Sequence, residues 1–394
     1  MPIDNQLRAD CADAGRVLIL PRAEDMVDRL EDLVRIETPS GDRGASALIA
    51  DVLARWFGSI GAAVRLVESE QGTNLIADWG GRGGENPVLL VGHTDTVWPV
   101  GALAEQVPWR VEGDRVSGPG VLDMKSGIVI MFQAMAMIAR MDHRAVRVIL
   151  VCDEEIGSPS SAGLLRETAR DAACAVGFEC PHPDGALKVG RRGSTRVRLS
   201  VAGVPAHAAL DPDKGVSAID EIIDQLAHVR TIAAGAGGGS SEVLCNIGTL
   251  AGGTRANVIA AHAEAEIGFR FVDAETERAV LDAVGNLHAV RPGAHVEVEV
   301  LSHRPAWKAS EQDLRLMSDL AISAHEAGLE LGGRPAAGAG DANNLGAMGV
   351  ATVDGFGPHG AGAHAAGEHA SARSMAERAL ALATYLTRTA AATS

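Results

Sequence analysis

Three segments of the chain place a histidine or carboxylates directly after a run of aliphatic residues. They are the run 87–92 before His93 and Asp95, the run 145–152 before the acidic triplet 153–155, and the run 173–178 before Glu179. Such runs predict buried strands, and ligands of open α/β sheets bind outside the carboxyl ends of the strands. A histidine followed two residues later by an aspartate suits a metal ligand with the carboxylate that orients it. Repulsion within an acidic triplet at a strand end is relieved by bound cations.

Two further segments carry candidate ligands. Asp123 follows Ser117-Gly-Pro-Gly120, where the backbone must turn tightly, but it could equally cap a helix that begins near Lys125. A glycine-rich segment near the C-terminus, residues 358–369, offers three histidines. These are His359, His364 and His369.

Imidazoles and carboxylates without a thiolate indicate a catalytic site for two divalent ions rather than a structural site for one. Zinc accepts both ligand types, and cobalt and manganese accept them as well. Two ions about 3.5–4 Å apart can clamp a bridging hydroxide and polarise a carbonyl, with a remaining carboxylate as general base. The alternative is a metal-free protein whose acidic side chains form a solvated edge.

Composition and charge narrow the class of protein. The chain has 394 residues and a formal net charge of −16, so it lacks the basic field that nucleic acid requires. Neither a signal peptide in residues 1–21 nor an uncharged membrane-spanning run is apparent. Five scattered cysteines, among them Cys11, fit a reducing compartment. We therefore expect a soluble, cytoplasmic protein with no nucleic acid or membrane partner.

The order of predicted elements indicates two domains. Aliphatic strands alternate with helices up to residue 190 and again from about 304, which predicts a mostly parallel, doubly wound α/β sheet. Residues 191–303 read as strand-helix-strand-strand-helix-strand, the ferredoxin-like α+β arrangement, with helices at 216–233 and 274–290. We expect residues 1–190 and 304–394 to form one domain into which 191–303 is inserted.

With these residues in view, the chain resembles the dinuclear zinc hydrolases that include glutamate carboxypeptidase of the carboxypeptidase G type, acetylornithine deacetylase and succinyl-diaminopimelate desuccinylase. The resemblance runs over nearly the whole chain and is closest to the glutamate carboxypeptidase branch. The stretches that carry it are His93-Thr-Asp-Thr-Val97, Gly118-Pro-Gly-Val-Leu-Asp-Met-Lys-Ser-Gly127, Asp153-Glu-Glu-Ile-Gly-Ser158, Arg304-Pro-Ala-Trp307 and His364-Ala-Ala-Gly-Glu368. It implies a zinc-peptidase-like catalytic domain and an inserted lid and dimerisation domain.

The resemblance also implies roles for the candidate ligands. Asp123 would bridge two zinc ions, and the peptide bond after it would be cis. His93 and Glu179 would complete one ion's shell, and Glu155 and His364 the other's. His359 and His369 would then be loop residues, with His369 as the rival of His364 for the late ligand. The remaining two acids have other roles. Glu154 would be the general base that moves a proton from the bridging water to the leaving nitrogen, and Asp95 would support His93.

The inserted segment and the residues that flank it include matches to substrate-binding residues of the family. His207 matches a histidine that stabilises the oxyanion in the partner subunit's active site, which implies a homodimer built through this domain. Asn257 and Arg270 match lid residues that hold the substrate, and Arg304 matches an arginine that binds its C-terminal carboxylate. Lys188 is a weaker match. Ordinary loop and surface roles are the alternatives for all five.

We therefore expect a metal-dependent hydrolase that cleaves the amide bond between an acyl or peptidyl group and a C-terminal amino acid. Glutamate is favoured as the leaving amino acid by resemblance alone. An N-acyl-amino-acid deacylase or dipeptidase on the same scaffold is the nearest alternative. A non-catalytic ligand-binding protein is the alternative from another class, although it would have no use for Glu154.

Overall fold

The computed structural model describes residues 8–10, 17–81, 85–236 and 243–388. Cys11, much of the N-terminal segment and residues 237–242 lie outside them. The helices are α1 (Ala23–Val34), α2 (Arg43–Ser59), α3 (Ala102–Glu105), α4 (Ser126–Ile138), α5 (Ala162–Thr168), α6 (Ala218–Gly235), α7 (Ala274–Gly285), α8 (Glu311–Glu326), α9 (Ala342–Ala347) and α10 (Ala372–Thr387).

The strands are short, as is usual in a globular α/β protein. They are β1 (Arg8–Asp10), β2 (Val17–Ile19), β3 (Ala63–Glu68), β4 (Thr73–Trp79), β5 (Val88–His93), β6 (Arg110–Glu112), β7 (Arg115–Ser117), β8 (Val146–Val151), β9 (Cys174–Gly177), β10 (Leu187–Arg191), β11 (Gly193–Ala202), β12 (Val243–Gly252), β13 (His262–Phe271), β14 (His295–Arg304), β15 (Gly333–Ala336), β16 (Thr352–Val353), β17 (Gly360–Ala361) and β18 (His369–Ser371).

The chain forms two compact units. The first, which we call the major unit, comprises Met1–Gly190, Ala309–Ala336 and Gly340–Ser394. The second, the minor unit, comprises Arg191–Lys308 and Ala337–Ala339.

The major unit is built on a six-stranded sheet in the order β16-β9-β5-β8-β4-β3. Strands β16, β9, β5 and β8 are parallel to one another, which confirms the predicted mostly parallel α/β sheet. At the other edge β4 and β3 run antiparallel. The reason is that residues 69–72 are too few for a crossover connection between parallel strands, and they close a hairpin instead.

Helix α4 lies in the core of the major unit, and nearly all of its residues are buried. The segment Val121–Ile138 is long and apolar enough to cross a membrane, but 78% of it is buried inside the protein, as in a core helix. The sequence predicts a helix that begins near Lys125; in the structure Val121–Lys125 form a separate turn, and α4 begins at Ser126. Asp123 therefore does not cap the helix, because the cap position is Lys125.

The minor unit has the predicted ferredoxin-like order of elements, with a sheet in the order β12-β13-β11-β14. Alternation along β13 buries Ile267, Phe269 and Phe271 on one face, where they pack with Leu226 and Val229 of α6. Leu226 and Val229 therefore belong to the hydrophobic core of the minor unit within one chain. Helix α7 ends at Gly285 rather than at the predicted 290, and Asn286 is its C-cap.

Candidate metal centre

The carboxyl ends of three adjacent parallel strands meet at one edge of the major sheet. Strand β5 lies between β8 and β9, and it ends at His93. A short 3-10 turn, Glu154–Ile156, follows β8, and Glu179 lies two residues after β9. Because the strands are parallel and in contact, side chains far apart in sequence come together here.

Asp123 lies between two histidines. Its Oδ1 is 3.2 Å from Nε2 of His93, and its Oδ2 is 3.1 Å from Nε2 of His364. His93 Nε2 is also 3.4 Å from Oε1 of Glu179, and His364 Nε2 is 3.2 Å from Oε2 of Glu155. The five predicted ligands thus form two groups that share one aspartate.

These residues fit divalent cations by an observation independent of the family resemblance. Donor atoms of His93, Asp123 and Glu155 lie within 4.8 Å of one another, and so do those of His93, Glu154 and Glu179. Oε1 of Glu155 is buried and has no hydrogen-bond partner. A buried carboxylate oxygen without a donor is costly, and a cation would satisfy it. The nitrogen and oxygen donor set suits zinc.

The electrostatics show how much negative charge is concentrated here. Hydrogen bonds with Asp123 and Glu155 raise the pKa of His364 to about 10. Burial opposes the charge of His93, yet hydrogen bonds with Asp123, Asp95 and Glu179 raise its pKa well above the usual value. Burial raises the pKa of Glu155. The same carboxylates that favour protons on the imidazoles would favour metal cations in their place.

Asp95 is buried and has more partners than the predicted one. Its backbone oxygen is 3.0 Å from Nδ1 of His93, and its carboxylate Oδ1 is 3.4 Å from the same nitrogen. The carboxylate also accepts hydrogen bonds from the backbone N–H groups of Glu154 and Glu155, both at 3.1 Å, and from the hydroxyl of Ser40. Asp95 therefore orients both the histidine and the turn that carries the two glutamates.

The acidic triplet is divided between two kinds of role. Asp153 accepts hydrogen bonds from the side chains of Ser160 and Ser161, so its carboxylate holds the local turn. Glu154 is buried, and one of its oxygens lies in the donor group with His93 and Glu179. Its position is compatible with the predicted general base.

Of the three late histidines, the structure brings His364 to Asp123. His364 has φ +62°, a left-handed backbone conformation that is uncommon for a residue other than glycine. Nδ1 of His369 is 2.9 Å from the backbone oxygen of Gly367, and His369 pairs with Ser117 in the β7–β18 ladder. His359 packs beside Gly185.

Glu368 is a residue whose role the sequence alone did not reveal. Its side chain is fully buried and accepts four hydrogen bonds. The donors are Nε1 of Trp98 at 2.6 Å and the backbone N–H groups of Gly120 at 3.0 Å, Leu122 at 2.9 Å and Asp123 at 3.2 Å. The peptide bond that follows, Asp123–Met124, is cis, as the resemblance implies. Glu368 thus joins the loop of His364 to the loop of Asp123. In the sequence, the one sign of this role was that Glu368 follows His364 by four residues.

Replacing Glu368 by glutamine is expected to lower zinc affinity about 10- to 100-fold, the usual effect of losing a partner that orients ligands. The amide NH₂ would face backbone N–H groups that now donate to a carboxylate oxygen, so Asp123 would shift. Competition of the folded protein with a chromophoric chelator measures this affinity. Glu311→Gln, on an exposed side chain of α8, is the control. Unchanged zinc affinity in Glu368→Gln would show that Glu368 has no influence on the ligands.

Lys188 is the remaining predicted substrate-binding residue in the major unit. Its side chain is buried, and Nζ lies 3.8 Å from Sγ of Cys180, the residue after Glu179. Lys188 therefore contacts the residue next to the candidate ligand Glu179.

In the minor unit, His207 and Asn257 lie side by side. The backbone N–H of Ala208 donates to the backbone oxygen of Asn257 at 3.1 Å. Nδ1 of His207 accepts hydrogen bonds from the backbone N–H groups of Ala209 and Leu210, both at 3.2 Å. In the neutral ring this leaves the proton on Nε2, where it can be donated.

Arg270 and Arg304 flank one small residue of the minor sheet. Both pair with Ser194 of β11, one from β13 and the other from β14. Burial and the neighbouring charge of Arg304 lower the pKa of Arg270. Two guanidinium groups so placed suit a carboxylate ligand.

The chain is similar to known peptidases and desuccinylases. A model of peptidase family M20/M25/M40 matches residues 89–388. Carboxypeptidase G2 of Pseudomonas sp. (strain RS-16) is 30% identical over 349 residues, which cover 85% of this chain and 83% of that protein. A succinyl-diaminopimelate desuccinylase of Dinoroseobacter shibae is 30% identical over 296 residues, 70% of this chain and 75% of that protein.

Solved structures share the fold at lower identity. The aminopeptidase PepT from Bacillus cereus superposes with a TM-score of 0.75 at 22% identity, covering 93% of this chain and 99% of that one. The metallo-carboxypeptidase Sso-CP2 from Sulfolobus solfataricus gives a TM-score of 0.66 at 15% identity, covering 92% and 99%. These similarities establish the architecture. At such low sequence identities they carry no information about the substrate.

Proposed function

Because the chain belongs to peptidase family M20/M25/M40, and is thus a hydrolase of peptide or amide bonds, we propose that it releases a C-terminal amino acid from an acyl or peptidyl group. Glutamate is the favoured leaving amino acid. The observation that carries the proposal is the pair of donor groups that share Asp123. Carboxypeptidase G2 as a relative, 30% identical, supports the same reaction.

Two zinc ions are the norm in this family, and the proposed ligands divide accordingly. His93 and Glu179 would hold one ion, Glu155 and His364 the other, and Asp123 both. Cobalt or manganese would suit the same donors. When bound, such ions polarise the scissile carbonyl and lower the pKa of the attacking water.

Glu154 would act as the general acid-base group of the protein. A carboxylate in this buried donor group can take the proton of the attacking water and pass it to the leaving nitrogen. Asp95 would keep Glu154 in place through the hydrogen bond from its backbone N–H. His207 would donate its Nε2 proton where negative charge develops on the carbonyl oxygen, which typically stabilises a transition state by several kcal/mol.

Four residues are proposed to hold the substrate. Arg304 and Arg270 would bind the C-terminal carboxylate, since a planar guanidinium matches a carboxylate in a bidentate manner. Asn257 would donate an amide hydrogen bond from its position beside His207. Lys188 would contribute a cation near Glu179.

We further propose that the protein is a cytoplasmic homodimer joined through the minor unit. Strand β12 is an edge strand with unpaired backbone groups on one side, and its Leu244 and Leu250 are 49% and 55% exposed. Ile223 of α6 is 53% exposed. Pairing of β12 with a second copy would cover this surface and supply His207 to the partner, as the resemblance implies.

A second candidate function uses the same chemistry on another substrate. The name of the desuccinylase relative indicates removal of an N-acyl group, and that protein has the same 30% identity to this chain as carboxypeptidase G2, over 296 rather than 349 residues. An N-acyl-amino-acid deacylase or a dipeptidase therefore remains the alternative. A non-catalytic binding protein would not need Glu154.

The test is release of amino acids from N-acyl amino acids and dipeptides with different C-terminal residues. We expect release to stop on chelation, to return on addition of zinc, and to be fastest for glutamate. Preference for another residue would keep the mechanism and select the deacylase or dipeptidase alternative. Failure to release any amino acid despite bound metal would contradict the proposed function.

A further inference from the structure

The helices α6 and α7 of the minor unit pack on one face of its sheet, and the opposite face carries alternate residues of β11. The residues that point to this face include Ser194, Arg196 and Arg198, because Thr195 and Val197 between them are buried on the other face. Their cross-strand partners share the same face. The strand register therefore fixes which side chains are neighbours.

In the middle of this face one cation lies between two carboxylates. Arg198 donates to Glu266 at 3.1 Å and to Glu299 at 3.0 Å. Both glutamates are its cross-strand partners in the register. The charge of Arg198 is thus satisfied within the sheet.

Arg196, two residues earlier, has different neighbours. Its cross-strand partners are Gly268 and Ser302, which bear no charge and have little bulk. Within the described part of the chain its exposed guanidinium makes neither a hydrogen bond nor an ion pair. Arg196 is therefore a cation with open space on both sides and no acid to neutralise it.

The end of the face beyond Arg196 is also cationic. Arg270 and Arg304 flank Ser194 on the two neighbouring strands, and burial together with the charge of Arg304 lowers the pKa of Arg270. Ser194 and Arg196 are two residues apart on one strand, a distance of about 6.6 Å. Three guanidinium groups thus lie within the reach of a single small molecule.

We propose that Arg196 is a specificity-determining residue that binds the side-chain carboxylate of an acidic leaving amino acid. This rests on the proposed function, in which Arg270 and Arg304 bind the α-carboxylate of the same amino acid. Aspartate and glutamate carry two carboxylates separated by a few carbon atoms, which matches the spacing of these cations. A neutral leaving amino acid would make no ion pair with Arg196.

Steady-state kinetics with N-acyl glutamate, aspartate, alanine and leucine tests this in Arg196→Gln. Hydrogen bonds to a charged group predict a fall in kcat/KM of about 10- to 100-fold for the two acidic substrates, expressed mainly in KM, and little change for the neutral ones. Arg196→Lys should recover part of the loss because it restores the charge. Arg198→Gln removes a cation from the same face and should leave the preference unchanged.

Equilibrium binding of glutarate and of butyrate to the same proteins tests Arg196 without turnover. Stronger binding of glutarate that is lost in Arg196→Gln supports the proposal. Equal losses for acidic and neutral substrates, or no preference of the wild-type protein for glutarate over butyrate, would overturn it. A protein that releases no amino acid contradicts the proposed function, and the binding measurement then decides the role of Arg196.

Discussion

Glu154→Gln is expected to lower kcat by about 10³-fold, within the usual range for loss of a general acid-base group. The amide keeps the size of the side chain but cannot accept a proton from water. Its backbone N–H would still donate to Asp95, so the turn Glu154–Ile156 and the bound metal should be retained. Turnover of the best substrate, together with metal analysis of the purified variant, measures both effects.

The neighbouring acid provides the matched control for this variant. Asp153→Asn changes a carboxylate one position away, whose contacts are with Ser160 and Ser161 rather than with the candidate ligands. We expect it to keep most of the turnover. Full activity of metal-replete Glu154→Gln would falsify the assignment of the general base.

Asp123→Asn is expected to have the second large effect, a loss of bound metal together with turnover. The two oxygens of Asp123 face His93 and His364 at 3.2 and 3.1 Å, and an asparagine offers an oxygen to one of them alone. The loss should exceed the about 10- to 100-fold typical of residues that merely orient a ligand. Metal analysis after dialysis against zinc should give less than the wild-type content.

A control variant outside the metal centre, together with a check of folding, separates loss of the shared ligand from loss of the folded structure. Glu105→Gln, on an exposed side chain of α3, should retain both metal and activity. Circular dichroism of Asp123→Asn should match the wild-type spectrum. Wild-type metal content and turnover in Asp123→Asn would rule out a shared ligand at this position.

The two effects are distinguishable because they act at different steps. Glu154→Gln should give a protein that binds metal and substrate but turns over slowly. Asp123→Asn should give a protein in which added zinc restores little of the turnover. A protein in which both variants lost metal to the same extent would place Glu154 among the ligands.

Much of the architecture was determined by local patterns in the sequence. The aliphatic runs before His93, before the acidic triplet and before Glu179 become β5, β8 and β9, because a strand buried on both faces needs an uninterrupted apolar run. The period-two alternation of β13 becomes one buried and one open face. Such patterns depend on nearest neighbours along the chain and can be read without the fold.

Tertiary structure decided the contacts between residues distant in sequence. Which of three histidines meets Asp123 depends on the path of a glycine-rich loop, and such a loop has no periodic signal. The carboxylate of Glu368 binds backbone groups 245–248 residues away, where no spacing rule applies. Arg198 is paired with two glutamates, whereas Arg196 makes no ion pair among the described residues; the two look alike in sequence and differ through the strand register alone. The sequence by itself determined the strands and the kinds of ligand, whereas long-range packing selected their partners, because hydrogen bonds between distant segments depend on how those segments are brought together.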